Sequence, residues 1–299
     1  MTFLAVFGHV NIDVKVQLGC LPSPGKSAEV LSRGQVLGGT AANISMFSST
    51  LGIPTALATF VGSDFPPEYL KALRSTGVDL DDLQIVKDGT SPVCFVLTDT
   101  GQNQMYFIDQ GVQRDLEVRP LLENAVRRSQ CIHISTGRPG YYIRIAKLAK
   151  KLGKRVFMDP GQEIHFLYDR KNIRGLLKYC DGFFGNTLEA SVAVNLLGGR
   201  NVSDLLDFVY VAIITDGKRG SKIYTKDKVH TIPVIKKSDI ADPTGAGDAY
   251  RAGFYSGLMR GLGYRQCGLL GSAAASVVVR NRGNLKALSW KAVKALAKE

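Results

Sequence analysis

Apolar segments alternate with amphipathic segments along most of the chain, and this alternation predicts the fold class. From about residue 130 onward, β-branched and aromatic runs predict short strands, and apolar residues at helical spacing predict the segments between them as helices. The predicted strands are 132–134, 156–158, 183–184 and 209–214, and the predicted helices are 141–152, 173–179, one from 187, and two or three from 248 to the end. Such alternation is typical of a mostly parallel sheet covered by helices on both faces, in a three-layer α/β/α architecture.

The first 130 residues have a different pattern. After an apolar run at 3–8 come strand-like stretches without intervening helices, at 11–16, at 28–36, and at 93–98 and 104–108 on either side of a turn that indicates a hairpin. Four strands in two pieces predict a small β-sheet that stands off the main domain as a lid, and a lid can exclude water from a reactive site. The expected division is a main α/β domain of residues 1–10, 38–91 and 113–299, with a β-strand lid of residues 11–37 and 92–112.

A glycine-rich motif, Asp-Pro-Thr-Gly-Ala-Gly-Asp at residues 242–248, lies between an apolar run at 231–235 and a segment of helical spacing. Backbone amides in the first turn of a helix have no internal partners and bind anions, and Gly245 and Gly247 allow close approach. Asp248 then lies where it could take the proton of a hydroxyl that attacks phosphorus. The alternative is an Asp N-cap after a flexible loop, but the whole string favours phosphoryl transfer.

Two further polar groups accompany glycines near the N-terminus. Gly38 and Gly39 precede a helix-like run that contains Asn43, and Asn11 and Asp13 lie at the start of the first lid strand. An Asp that accepts from two hydroxyls and an Asn that both donates and accepts suit the vicinal diol of a sugar. Turn and cap roles are the alternative, because both residue types perform them well.

Two more motifs follow predicted strands on the nucleotide side. Asn186 and Glu189 form a capping-box pattern, which either only starts a helix or also positions a hydrated Mg²⁺. Residues 215–220, Thr-Asp-Gly-Lys-Arg-Gly, form either a hairpin turn or a turn whose amides and cations meet nucleotide phosphates.

Bulk composition narrows the class of protein. The chain has 299 residues, of which 45% are hydrophobic and 21% charged, and it has a net charge of +12. Its basic residues are dispersed, with the densest group on the polar face of the predicted helix 141–152, so we expect no nucleic-acid partner. Because the chain has no membrane-spanning run, no signal peptide and an odd number of scattered cysteines, we expect a cytoplasmic protein with reduced thiols and no structural metal.

Over nearly its whole length, the chain resembles the ribokinase family, also called the PfkB family of carbohydrate and nucleoside kinases. The matching pieces are Gly38-Gly39 with Asn43, Leu51-Gly52 with 61–64, 186–189, 215–217 with Gly220, and the highly specific 242–248. The Asp-Pro-Gly-Gln at 159–162 makes the pattern more similar to archaeal nucleoside kinases. Departures from the family's common pattern are Phe65-Pro66-Pro67, Pro243, and Arg251, which stands where small or uncharged residues are frequent.

The resemblance implies a ribokinase-like fold and an ATP- and Mg²⁺-dependent kinase, with a monovalent cation left open. It implies Asp248 as catalytic base, with Gly245, Ala246 and Gly247 as the anion hole. The implied acceptor-binding residues are Asn11, Asp13, Gly39 and Asn43, to which we add Gln110 and Gln162 as candidate hydrogen-bonding residues. The implied nucleotide-binding residues are Asn186, Thr215, Gly217, Gly220, Thr244, Ala274 and Asn281, with the turn at Gly283 beside adenine and Glu189 near the metal.

These observations predict a kinase that phosphorylates the primary hydroxyl of a ribonucleoside. Tyr106, Phe107, Phe166 and Tyr168 either stack on the base or pack in the interior. A kinase for ribose, fructose or another sugar is the nearest alternative, and a noncatalytic nucleotide- or nucleic-acid-binding protein is the alternative of another class. Unpaired lid edges favour a homodimer through the lid.

Overall fold

The structure is a computed structural model that describes residues 2–235, 244–280 and 288–297. The strands of its main sheet are β1 (Thr2–Phe7), β4 (Thr55–Gly62), β5 (Leu83–Val86), β8 (Ser129–Ile134), β9 (Arg155–Met158), β10 (Gly182–Asn186), β11 (Val211–Thr215), β12 (Ser221–Thr225) and β13 (Val229–Ile232). They form a nine-stranded sheet in the order β13-β12-β11-β10-β9-β8-β1-β4-β5. All pairs from β11 to β5 are parallel, and the two pairs made by β12 are antiparallel.

Helices cover both faces of this sheet. They are α1 (Thr40–Thr50), α2 (Pro67–Ser75), α3 (Glu123–Arg128), α4 (Pro139–Lys151), α5 (Arg170–Leu177), α6 (Thr187–Leu197), α7 (Ala246–Met259), α8 (Tyr264–Arg280) and α9 (Trp290–Leu296). Successive strand residues point to opposite faces, so Phe7 joins one apolar core with Ile173 of α5, and Val6 joins the other with Phe254 of α7. The predicted three-layer, mostly parallel architecture is confirmed. Within the described part of the chain, no helix is long and apolar enough to cross a membrane.

A second, four-stranded sheet forms the lid. Its strands are β2 (Asn11–Leu18), β3 (Val30–Gly38), β6 (Val93–Thr98) and β7 (Gln104–Asp109), in the order β3-β2-β6-β7. The central pair is parallel and the outer pairs are antiparallel, which confirms the hairpin predicted around residues 99–102. At the end of the second lid segment, Val112 already packs in the core of the main domain.

Two proline-containing segments differ from the prediction. The expectation that no helix separates the strands of the first 130 residues is wrong at α2 and at α3. Pro67 occupies the first turn of α2. In the first turn of a helix, the fixed φ of proline fits the helical conformation. The N–H that proline lacks would have had no intrahelical acceptor at this position. At the other segment, β13 ends at Ile232 although the apolar run continues to residue 235, because Pro233 has no N–H to donate to a strand ladder.

Candidate active site

The start of α7 supplies the expected anion-binding turn. Gly245 precedes the helix with φ of 75°, a left-handed conformation that glycine adopts at little cost. The amides of the first turn, which includes Ala246, Gly247 and Asp248, therefore have no intrahelical partners and are available to an anion. Thr244 directly precedes this turn, and Asp242 and Pro243 lie outside the described residues.

Asp248 is held by an asparagine from another helix. Asn43 of α1 donates from Nδ2 to Oδ2 of Asp248 at 2.8 Å. Burial raises the pKa of Asp248 to about 6, although Asn43 and the nearby Arg251 both favour its charged form. A carboxylate with this pKa is ionised at neutral pH and is a stronger base than an ordinary one, as a general base requires.

The first lid strand brings two more polar side chains to this region. Asn11 Oδ1 and Asp13 Oδ1 are buried and have no protein partner. Burial raises the pKa of Asp13 to about 6, and the charge of Asp13 in turn contributes to the raised pKa of Asp248. The Asp13 carboxyl packs directly on Gly38, where any Cβ would collide with it. Buried oxygens without partners are costly in isolation, which indicates a ligand rich in hydrogen-bond donors.

The junction between lid and main domain contains a buried polar network that the sequence analysis did not identify. Gly39, with φ of 95°, packs on the carbonyl oxygen of His9, and any Cβ there would collide with it. Gln110 Oε1 accepts a hydrogen bond from His9 Nε2 at 2.8 Å, and Gln110 Nε2 donates to Glu163 Oε1 at 2.6 Å. Gln110 is 7% exposed, so its predicted contact with the acceptor is not supported. Gln162, beside Glu163, is exposed and its role stays a prediction.

The four aromatic candidates separate into different environments. Tyr106 pairs with Val96, which pairs with Lys15, so these three residues lie on one face of the lid sheet. Asp13 is two residues before Lys15 on the same strand and therefore lies on that face as well. Phe107 pairs with Phe95, next to Val14, and lies on the opposite face, so it cannot stack on a ligand held by Asp13. Tyr168 is 7% exposed in the main core, which matches the packing alternative, and Phe166 is 60% exposed.

The nucleotide-side motifs have the predicted local geometry. Asn186 Oδ1 accepts from the amides of Leu188 and Glu189, and Glu189 Oε2 accepts from the amide of Asn186 at 2.7 Å, which forms a capping box. Burial raises the pKa of Glu189, and the neighbouring Asp159 adds to this effect. In the described ranges no three His, Cys, Asp or Glu side chains have a metal-holding arrangement. The carboxylate of Glu189, which is 5% exposed, would suit a Mg²⁺ ion that keeps most of its water ligands.

The turn after β11 is a hairpin, with a 3-10 segment Gly217–Arg219 between β11 and β12. Arg219 donates two hydrogen bonds of 2.7 Å, from Nε and Nη2, to the carboxylate of Asp216. Its positive charge is therefore paired with that carboxylate. Thr215 ends β11, and Gly220 closes the turn by donating to the carbonyl of Gly217. These residues lie at the carboxyl edge of the sheet, where ligands bind in α/β folds.

One nucleotide-side prediction is not supported. Ala274 is fully buried on α8, where it packs against Gly253 of α7, so its side chain offers no surface to adenine. Small residues at both positions allow these two helices to approach closely. Asn281 and Gly283 lie outside the described residues.

A buried ion pair lies beside the anion-binding turn and was also missed. Arg251 donates from Nε and Nη2 to the two carboxylate oxygens of Asp159, at 2.6 and 2.9 Å. The sequence motifs include Asp159, in the segment 159–162, and Arg251, beside the glycine-rich turn, but no local pattern connects the two because they are 92 positions apart.

Comparisons with known proteins agree with this geometry. Residues 1–291 match the pfkB family of carbohydrate kinases. The chain is 34% identical over 288 residues to a nucleoside kinase of Methanothermobacter thermautotrophicus, which covers 94% of this chain and 90% of that protein. It is 28% identical over 293 residues to a cytidine kinase of Thermococcus kodakarensis, covering 95% and 98% of the two chains.

Among solved structures, the nucleoside kinase of Methanocaldococcus jannaschii, an archaeal member of the ribokinase family, superposes with a TM-score of 0.90. The two are 32% identical, and the superposition covers 100% of this chain and 98% of that one. The chain therefore belongs to the pfkB family of carbohydrate kinases. It is a kinase that phosphorylates a hydroxyl group.

Proposed function

We propose that this kinase transfers the γ-phosphoryl group of ATP to the 5'-hydroxyl of a ribonucleoside. Asp248 acts as the general base, and the amides of residues 245–247 form the anion hole. The observation that carries the proposal is the convergence of Asn11 and Asp13, whose buried oxygens have no protein partner, with Asp248 and Asn43. Such oxygens suit a vicinal diol. The charge of Asp13 contributes to the raised pKa of Asp248, so the two carboxylates are near each other.

In this arrangement the protein contributes positioning and charge stabilisation, which dominate phosphoryl transfer. Asp13 and Asn11 hold the ribose hydroxyls so that the 5'-oxygen lies near Asp248. As that oxygen attacks phosphorus, Asp248 takes its proton, and the first-turn amides of α7 stabilise the charge on the transferred group. Closure of the lid over the acceptor excludes water as a competing nucleophile.

ATP would lie along the carboxyl edge of the sheet. Thr215, Gly217, Gly220 and Thr244 border its phosphates and ribose, and Asn186 lies beside them. Glu189 would hold Mg²⁺ through water, and the ion would neutralise charge on the phosphates when bound.

The choice of a nucleoside rests on the relatives. Proteins that are 34% and 28% identical over nearly the whole chain are a nucleoside kinase and a cytidine kinase. Tyr106 lies on the same lid face as Asp13 and offers a ring that could contact a base.

A substrate panel tests this assignment. ADP release would be measured with ATP and Mg²⁺ and, in turn, cytidine, inosine, adenosine, ribose and fructose 6-phosphate. We expect at least one nucleoside to give a higher kcat/KM than either sugar. Turnover confined to the sugars would reassign the enzyme as a sugar kinase, and ATP binding without turnover of any acceptor would favour the noncatalytic alternative.

We also propose that the lid pairs with a second copy of the chain. Its face opposite Asp13 contains Phe95, Met105 and Phe107, which are 40, 42 and 51% exposed. An apolar face of this kind on a lid sheet is typical of a protein interface. Light scattering should report a dimer that the double substitution Phe95→Asp/Phe107→Asp converts to monomer, whereas Tyr210→Asp, at a residue 68% exposed elsewhere, leaves the dimer intact. A monomeric parent protein would contradict the proposal.

A further inference from the structure

The buried pair of Arg251 and Asp159 has no role in the phosphoryl transfer described above. Arg251 lies one helical turn after Asp248 and is 6% exposed, and Asp159 directly follows β9 and is 4% exposed. Taking a guanidinium and a carboxylate out of water is expensive, and a buried pair of this kind is seldom better for stability than well-packed apolar residues. Stability alone therefore does not explain the pair.

The guanidinium lies beside Gly247 of the anion hole, in the space into which a side chain at this position would project. A Cβ added to Gly247 would be 2.9 Å from Nη1 of Arg251, the nitrogen that does not bind Asp159. The plane of the guanidinium also lies over the ring of Phe184, 5.6 Å from its centroid. Asp159 on one edge and Phe184 on one face thus fix the orientation in which Nη1 meets Gly247.

Asp159 also has His133 as a neighbour. His133 Nε2 is 3.4 Å from Asp159 Oδ2, and His133 Nδ1 hydrogen-bonds the hydroxyl of Tyr255 at 2.7 Å. Burial lowers the pKa of His133, which favours the neutral form of its ring. Burial opposes ionisation of Asp159, but Arg251 and His133 overcome it and hold its pKa at about 2. Asp159 therefore carries its charge at every pH at which the enzyme would be assayed.

We propose that Arg251 is a positioning residue for phosphoryl transfer. Oriented by Asp159, it fills the space beside Gly247 and supplies a fixed positive charge next to the amides that bind the transferred group. The inference rests on the anion hole of the proposed function, but it does not depend on which hydroxyl is the acceptor. Preorganised charge of this kind acts where negative charge develops in the transition state.

The charged and titratable groups that face Arg251 come from several elements. They are Asp248 on its own helix, Asp159 after β9, His133 on β8 and Glu189 on α6. Of these, Arg251 and Asp159 act on Asp248 in opposite directions, because the guanidinium favours its charged form and the carboxylate disfavours it.

The test compares Arg251→Met, Asp159→Asn and the control Arg260→Met in pH profiles of kcat/KM, using whichever acceptor the substrate panel shows to be turned over. Arg251→Met should lower kcat about 10- to 100-fold, less than the ~10²- to 10³-fold loss for a direct anion-hole donor, with a smaller change in the KM of the acceptor. The acidic limb of the kcat/KM profile should move to higher pH in Arg251→Met, because the charge that lowers the pKa of Asp248 is lost. The limb should move to lower pH in Asp159→Asn, because the charge that raises the pKa of Asp248 is lost. Arg251→Lys should restore the limb but not kcat, because an ammonium cannot make the two-pronged contact with Asp159.

Arg260 provides the matched control, because it directly follows the same helix but stacks on Trp290 at 3.7 Å, away from the site. Arg260→Met should keep both kcat and the acidic limb. If Arg251→Met does not fold, the other two variants decide the question: Asp159→Asn should move the acidic limb to lower pH, and Arg251→Lys should keep the parental limb with a lowered kcat. A folded Arg251→Met with a lower Tm but an unchanged limb and kcat would overturn the inference. Full turnover by Asp248→Asn would instead contradict the proposed function itself.

Discussion

Replacing Asp248 by Asn should make the enzyme nearly inactive and more stable at the same time. The substitution keeps the shape of the side chain and leaves an amide oxygen that accepts from Asn43 Nδ2, which now binds Asp248 at 2.8 Å. It removes only the ability to take a proton. Loss of a general base lowers kcat by at least ~10²-fold, and ATP binding should change little.

The gain in stability follows from the same carboxylate. Burial moves its pKa from 3.8 to about 6. This displacement corresponds to about 3 kcal/mol of destabilisation by the ionised form, or a rise in Tm of roughly 5 °C for a chain of this size when the charge is removed. Because the folded pKa is the higher one, the penalty is complete above about pH 6. It shrinks as the pH falls through about 6 and disappears below about 3.8, where both states become protonated.

The assay is thermal unfolding of the parent and of Asp248→Asn between pH 4 and 8, together with kcat at each pH at which the parent is active. The Tm difference should be largest near pH 8 and should vanish near pH 4. Asp227→Asn, in the exposed turn between β12 and β13, is the control and should change neither quantity. A variant that is inactive but less stable than the parent at pH 8 would refute the reasoning about burial, and an active variant would refute the role of the base.

Three other outcomes follow from the same site. Gly247→Val should lose roughly 3 to 4 kcal/mol of transition-state stabilisation, because its side chain meets Arg251 Nη1. The control Gly19→Val, with open space around it, should leave activity unchanged. If Gly247→Val lowers only Tm, the turn has a structural role and not a catalytic one. Asp13→Asn should raise the KM of the acceptor about 10- to 100-fold with little change in the KM of ATP, as expected for a lost charged hydrogen bond, and an equal effect on both KM values would remove Asp13 from the acceptor site. Gly38→Ala should reproduce the Asp13→Asn phenotype, because its methyl group displaces the Asp13 carboxyl, and normal acceptor binding by this variant would show that the contact is unimportant.

The layered fold could be predicted because it is encoded in local periodicity. Buried strands such as β8 and β11 are apolar runs, and α4 shows an apolar face at helical spacing, so each element is recognisable alone. Helix α2 was not predicted, although Pro67 suits a first helical turn. The capping box of Asn186 and Glu189 is also local, and its geometry was confirmed.

Contacts between distant segments could not be predicted in this way. The face on which Phe107 lies depends on the register of β7 with β6, and the burial of Ala274 depends on how closely α8 approaches α7. The pairing of Arg251 with Asp159 joins α7 to the end of β9, and the His9, Gln110 and Glu163 network joins three segments. Such long-range contacts follow from tertiary packing, which a single sequence without an alignment does not reveal.

Identification of the reaction product is the most direct test of the proposed function. The protein would be incubated with ATP, Mg²⁺ and either cytidine or inosine, and the products would be followed by ³¹P NMR, with Asp248→Asn in parallel. The proposed function predicts a nucleoside 5'-monophosphate that forms in step with ADP and is absent with Asp248→Asn. Phosphorylation of free ribose but of no nucleoside, or equal product from the Asp248→Asn variant, would contradict it.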